Sequence, residues 1–345
     1  MKEIEYLIVG DGYGALFFAH QLLKNKKSFL LFSEGKKSAS HISAGIVNPV
    51  VLKKFTTFDR AIEQIESLHQ TLKEIESYTG VNYFVDEPIS RIFHDQKERE
   101  LWERKAQDPL LAPFLSSDFG KLDGLLNPFG VGKVKHSGRI HVEAFFSDLK
   151  AMLQKTDAIR EERFDYEGLG LAENTYQDLH YKYVVFAEGM GVKANPYFRH
   201  IPVNPNKGHQ INVELKDLKS LLGVVKKKHF LFSTARNRFY YGGTYDRYSQ
   251  SLEVEQSAID QLKAGLTEFY EGAIDSLEPH FGFRPTVRDR RPIVGRHKDY
   301  ENLFVLNGLG ARGVLNGNYY AKQLFEHIER ETPISPEVKL ERFDF

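Results

Sequence analysis

The sequence contains no cysteine, which excludes disulfides, thiolate zinc sites and thiol nucleophiles together. It also has no excess charge. Its 47 basic and 47 acidic residues balance to a formal net charge of zero, so no global field draws in nucleic acid or an anionic membrane. Apolar runs such as Tyr6 to Val9 and Val184 to Ala187 fall far short of the roughly 20 residues that span a bilayer. The expectation is a chain with no membrane segment. Because Met1–Glu5 passes almost at once into a strand pattern, there is no signal-peptide apolar core or cleavage site, and the cytoplasm is the expected compartment.

What is present is the composition of an ordinary globular protein: 345 residues, 41% hydrophobic and 27% charged. At roughly 100–200 residues per domain, about two domains are expected. The chain opens with a strand at Ile4–Val9, a Gly-rich turn, a helix over about Ala15 to Lys24 and a second strand at Phe29–Phe32, the order of a dinucleotide-binding βαβ unit. Apolar residues recur every three or four positions in Ile62, Ile65, Leu68, Leu72 and Ile75, in Val142, Phe145, Phe146, Leu149 and Met152, and in Ile259, Leu262, Leu266 and Phe269. Each set predicts a helix with one core-facing stripe. Arg91 to His94 reads as a strand, and Phe230–Phe232 with Phe239–Tyr241 as a hairpin closed around Ala235, Arg236 and Asn237. The short apolar runs Tyr183 to Ala187 and Leu303 to Leu306, each followed by glycine-containing loops, suit buried parallel strands returning to the first sheet.

The loop Gly10-Asp11-Gly12-Tyr13-Gly14-Ala15 carries the first chemical signal. Gly10 permits a tight turn, Gly12 lets backbone approach a pyrophosphate, and the small Ala15 allows close helix–strand packing. The helix N-terminus behind them offers free amides to phosphates. The acid that usually meets a ribose hydroxyl lies about 20 residues further on. Ser33 stands there, with Glu34 one residue later, and either is a candidate. His94, His136, His141 and His209 have no metal-site spacing, so no metal is expected.

Five further stretches resemble the D-amino-acid oxidase family, which includes glycine and sarcosine oxidases. They are Ser38 to Pro49, with Ser43-Ala44-Gly45 at its centre; Val184 to Gly189; Tyr241-Gly242-Gly243-Thr244; Gly282-Phe283-Arg284-Pro285 with Asp289 and Arg291 to Gly295; and Asn307 to Val314. The resemblance implies an α/β fold: an FAD-binding Rossmann-type domain assembled from residues 1–80, 130–200 and 280–345, and an inserted mixed-sheet α+β substrate domain from 81–129 and 201–279. It implies non-covalent FAD held by Gly10, Gly12, Tyr13, Gly14, Ala15, Ser33, Glu34, His41, Ser43, Ala44, Gly45, Phe164, Ala187, Glu188, Gly189, Gly308, Gly310, Ala311, Arg312, Gly313 and Val314. Glycines at 45, 308, 310 and 313 would let backbone reach a flavin ring, and the helix beginning at Gly313 would stabilise charge on the reduced ring.

For activity, the resemblance implies oxidation of a C–N bond in a small amine or amino acid by hydride transfer to flavin N5, with O₂ or another acceptor reoxidising the flavin. In the glycine oxidase branch, an aromatic hydroxyl before the Gly-Gly-Thr hairpin and an arginine in the last flavin loop hold the substrate carboxylate. This chain has Phe230 and Ala311 at those positions. Arg312 and Arg288 are the candidate replacements, since a guanidinium pairs bidentately with a carboxylate. His41 lies about one residue from the position where some relatives attach FAD. Lys226-Lys227-Lys228 and Lys53-Lys54 read as solvated charge. One branch of the family modifies a transfer RNA base, so a macromolecular substrate and a flavin-binding protein without turnover are the alternatives.

Overall fold

The computed structural model describes residues 1–218 and 221–343. Two eight-stranded sheets carry the architecture. At the centre of the first, Lys2–Val9 runs parallel to Phe29–Phe32 on one side and Leu179–Phe186 on the other. Ile159–Arg160 and Leu303–Asn307 extend this parallel set outward. Antiparallel Ile293–Arg296, Thr175–Tyr176 and Leu169–Gly170 complete it. Both faces are covered. The helices Tyr13–Lys24 and Gly313–Arg330 bury Phe17, Leu22, Val314 and Leu324 against Tyr6, Ile8, Leu31 and Leu306. On the opposite face Leu7, Val9, Val184 and Phe186 pack with Phe198 and Val203. This two-sided burial explains why these strands read as continuous apolar runs.

The second sheet runs Ile274–Thr286, Asn204–Leu215, Arg238–Gly242, Phe230–Ala235, Val224–Lys226, Ile89–Ile92, Val131–Val134 and Leu115–Gly120. All its pairs are antiparallel except Val224–Lys226 with Ile89–Ile92. Alternation assigns its two faces. Ile211, Val213, Phe239 and Tyr241 meet Ile259, Leu262 and Leu266 of helix Gln256–Thr267. The intervening residues, Gln210, Tyr240 and Gly242 among them, are left to the other face, which looks into a cavity.

The apolar stripes predicted as helices lie in Ala61–Thr79, Val142–Lys155 and Gln256–Thr267, and the hairpin at 230–242 forms with its bend at 236–237. Two long strands were not anticipated. Asn204–Leu215 and Ile274–Thr286 carry Pro205, Gly208, Pro279, Gly282 and Pro285, yet pair with each other from Asn204↔Thr286 to Leu215↔Ile274. Helix Gln96–Lys105 was also missed, because Trp102 is its one buried residue. Its start is fixed by Asp95, whose carboxylate accepts from the Glu98 amide at 2.7 Å. Among the described residues, no helix is long and apolar enough to cross a membrane.

Candidate active site

The first strand, Lys2–Val9, leads into Gly10, whose φ of +113° and the Ala187 carbonyl 2.5 Å from where a Cβ would stand admit only glycine. The chain then turns through Asp11 and Gly12 into helix Tyr13–Lys24, which has no side-chain cap at its start. Beyond Tyr13, the Gly14 amide on the cavity wall has no side-chain partner among the described residues and remains a donor to the cavity. Ser40 Oγ accepts from the Tyr13 amide at 3.3 Å, and the Tyr13 hydroxyl shares a 2.7 Å hydrogen bond with Ser43 Oγ. Burial pushes the Tyr13 phenol pKa up, so it stays neutral.

The cavity, about 590 Å³, runs from this glycine loop to the second sheet. Gly10, Gly12, Tyr13, Gly14, Ser43, Ala44, Gly45, Ala187, Glu188, Gly189, Gly310, Ala311, Gly313 and Val314, all expected at the cofactor, line it. Gly45 has φ +64°, and a Cβ there would meet Val142 at 2.6 Å. Gly310 has φ +62° with nothing within 4 Å of a Cβ position, so its backbone is open to a close-lying ring. Glu188 accepts from Asn195 Nδ2 at 2.7 Å and from the Tyr166 hydroxyl. Burial raises its pKa to about 7.

Seven other expected residues lie off the cavity wall. Ser33 is buried and donates to Asp11 Oδ2 at 2.5 Å. Glu34 is exposed and pairs with Lys36 at 2.7 Å. The His41 ring centre lies 4.3 Å from that of Phe146, and its Nδ1 lies 2.9 Å from Ser38 Oγ. Phe164 stacks on Tyr176 at 4.4 Å within the core. Ala15 is buried in the main core cluster, and a Cβ on Gly308 would meet Val287. Arg312 lies 4.0 Å over the Phe58 ring with Nη1 buried and unbonded, and burial lowers its pKa. Arg288, the second substrate candidate, is exposed and also off the wall.

The sheet end of the cavity is lined by Gly208, Gln210, Lys226, Phe230, Tyr240, Gly243 and Arg284. Registers Gln210↔Gly242, Gly242↔Phe230 and Phe230↔Lys226 make one row across four strands. Directly paired residues share a face. Arg284 reaches across this face. Its Nη1 donates to the Thr244 carbonyl at 3.0 Å, and its guanidinium lies 4.4 Å over the Tyr245 ring. A Cβ on Gly208 would collide with the guanidinium, and one on Gly243 would stand 2.7 Å from Nη2. The Tyr240 hydroxyl is 3.9 Å from that same Gly243 Cβ position, which brings it beside Arg284. Burial raises the Tyr240 pKa, partly offset by the Arg284 charge.

Sequence reading missed three of these residues. In the sequence, Arg284 belongs to the Gly-Phe-Arg-Pro stretch, Tyr240 to a hairpin, and Lys226 to a run that reads as solvated charge. The available signal was the alternation of Tyr240 against Phe239 and Tyr241. Placing all three on one face requires the strand registers.

A family model described as FAD dependent oxidoreductase matches residues 5–327. A glycine oxidase structure from Geobacillus kaustophilus superposes with TM-score 0.80 at 17% identity over 100% of both chains. An iminodiacetate oxidase from a Chelativorans species gives 0.76 at 18% over 98% of both. D-amino acid dehydrogenase 1 of Mesorhizobium japonicum is 29% identical over 140 residues, 39% of this chain and 33% of that protein. The match thus spans about a third of that relative's length. With its model covering nearly the whole sequence, this chain belongs to the D-amino-acid oxidase family of FAD-dependent oxidoreductases.

Proposed function

We propose that the protein oxidises the C–N bond of a small amine or amino acid. Bound FAD supplies the hydride acceptor at N5 and is reoxidised by O₂ or another acceptor. In this reading the Rossmann-type FAD domain is assembled from residues 1–80, 130–200 and 280–345, and the substrate domain from 81–129 and 201–279. The Gly12–Gly14 loop and the Gly14 amide at the start of helix Tyr13–Lys24 would hold the pyrophosphate. Gly310, with nothing within 4 Å of its Cβ position, would give the ring close backbone approach, and Gly45 and Gly313, the first residue of helix Gly313–Arg330, line the same wall. Non-covalent attachment is supported by the packing of the His41 ring on Phe146.

The observation that carries the proposal is the continuity of one cavity from the dinucleotide loop to Arg284 and Tyr240. Arg284 takes the place expected of Arg312 or Arg288 as the partner of a substrate carboxylate, and the Tyr240 hydroxyl, which has no hydrogen bond among the described residues, donates to the same group. A carboxylate buried there without a cation would cost several kcal/mol. Held by this pair, the substrate would be oriented with its α-carbon toward the glycine-lined end of the cavity, and orientation would supply much of the catalysis. Anaerobic addition of amines and of both enantiomers of amino acids to the purified yellow protein tests this. Bleaching with imine or oxo-acid product is expected, and a panel in which no amine bleaches the flavin overturns it.

One observation favours a larger substrate. Tyr245, Tyr248 and Leu252, on the loop beside the cavity, are 66%, 93% and 80% exposed. Retention of transfer RNA at low salt, displaced by mutation of these residues, would support that alternative.

A further inference from the structure

At the sheet end of the cavity, the basic side chains on the wall are Lys226 and Arg284; burial, with the Arg91 charge, lowers the Lys226 pKa to about 7. The acids on the wall, Asp11 and Glu188, belong to the glycine loop and the end of strand Leu179–Phe186. The neighbouring cations are compensated: Arg91 pairs with Glu98 at 2.5 Å, and Lys228 pairs with Glu268. Lys226 has no carboxylate partner among the described residues. Its ammonium lies 4.4 Å over the Phe230 ring and donates to the Lys228 carbonyl. With one carbonyl acceptor and no carboxylate, the ammonium form of this side chain is under-compensated, and an anion in the cavity would supply what is missing and hold the proton on it.

The two cations also stand at a definite separation. Arg284 extends from its own strand to Gly243, and Lys226 extends onto Phe230 of the adjacent strand. Gly242 and Phe230 are direct cross-strand partners. The tips are therefore about one to two strand spacings apart, roughly 5–10 Å, a gap that a four- to six-carbon diacid bridges. Phe230 forms the floor between them, and the row offers no acid to repel the ligand.

We propose that Lys226 receives a second anionic group of the substrate, and that the preferred substrate class is therefore a dicarboxylic amine: an amino acid with an acidic side chain, or an N-carboxyalkyl amino acid. This rests on the reading in which Arg284 holds the first carboxylate. One carboxylate sits between Arg284 and Tyr240, the other meets Lys226, and the C–N bond undergoing oxidation lies between them.

The test uses the purified holoprotein and the perturbation of its flavin absorbance by non-reacting acids. Succinate, glutarate and adipate are compared with butyrate, pentanoate and hexanoate, each pair matched in carbon count. At least one diacid is expected to bind about tenfold or more tightly than its monoacid. In Lys226→Met the preference should fall at least about tenfold, and Lys226→Glu should invert it. Lys226→Gln serves as a second neutral variant should Lys226→Met lose flavin. The ratio of kcat/KM for glutamate over glutamine should fall in parallel. A wild-type protein with no diacid preference, or a preference that survives in the neutral variants, overturns the inference. Arg284→Met separates the two levels. If it weakens monoacids and diacids alike while Lys226 variants leave the preference intact, only this inference fails. If Arg284→Met changes neither, the carboxylate reading fails and takes this inference with it.

Discussion

The two ends of the cavity are built from different materials. At the nucleotide end, contacts come from backbone at Gly10, Gly12, Gly45 and Gly310 and from uncapped helix starts, and the nearby charges Asp11, Lys36, Lys37 and Glu188 are of mixed sign. At the sheet end, contacts come from the side chains of Arg284, Gln210, Tyr240, Phe230 and Lys226, one from each of five adjacent strands, and the charges are of one sign. The backbone-lined end is sensitive to an added Cβ and tolerant of charge changes nearby, whereas the side-chain-lined end is sensitive to charge as well, since its contacts are made by charged and polar groups. The first design suits a ligand common to many proteins, and the second a ligand particular to one.

The largest effect should come from breaking the nucleotide end with a branched side chain. In Gly12→Val the new Cβ stands 3.0 Å from Ser40 Oγ and its methyl groups enter the space before the first helix amides. The φ of −78° is open to valine, so the fold should survive while most bound flavin is lost. Flavin-to-protein absorbance alongside circular dichroism checks this; full flavin content in a folded variant would make the loop merely structural.

Next is Glu188, whose folded pKa near 7 exceeds the ordinary value of 4.5 because of burial. Above pH 4.5 the unfolded chain releases this proton while the folded protein retains it. Stability of the flavin-stripped protein should therefore fall as pH rises from about 4.5 to 7, by up to about 3 kcal/mol. Glu188→Gln should flatten Tm against pH across that window; an unchanged slope would assign the dependence elsewhere.

At the sheet end, Arg284→Met should cut kcat/KM for an amino-acid substrate by about ten- to a hundredfold, the worth of roughly 1.5–3 kcal/mol for a charge-assisted pair. The flavin spectrum should stay as it was, and the loss should be smaller for an uncharged amine. Tyr240→Phe removes one hydroxyl from the same place and should cost about 1 kcal/mol, or several-fold in KM. If Tyr240→Phe matched the wild type for every carboxylate ligand, the hydroxyl would have no part in holding it.

This contrast also accounts for what was legible in the sequence. Glycines at fixed offsets after a strand are a local pattern, so Gly10, Gly12 and Gly14 on the cavity wall could be anticipated. Strands with both faces covered, such as Leu179–Phe186 and Leu303–Asn307, announce themselves as apolar runs. The sheet end depends on register between strands far apart in the chain, with Gln210 meeting Gly242 and Lys226 meeting Phe230. Two of its strands contain prolines and glycines that hide them. Nothing in Lys226-Lys227-Lys228 distinguishes the lysine on the cavity wall from Lys228, which pairs with Glu268 at the surface. Arg312 and Arg288 are near Gly310 and Pro285 in sequence, whereas Arg284 reaches the cavity because its strand, paired with Asn204–Leu215, borders that face.

The slot that holds Arg284 bears on the thermodynamics of recognition. Gly208 and Gly243 leave room for its guanidinium, Tyr245 lies against one face of it, and the Thr244 carbonyl fixes Nη1. A free arginine gives up about 2 kcal/mol of rotamer freedom when it is immobilised. Here that freedom is surrendered during folding, before any ligand arrives, so capture of a carboxylate begins from a preorganised receptor. A side chain at position 208 would unseat the arginine with no change of charge anywhere in the protein. Affinity for the carboxylate would then weaken through disorder of its partner, with a less favourable binding entropy as the calorimetric sign.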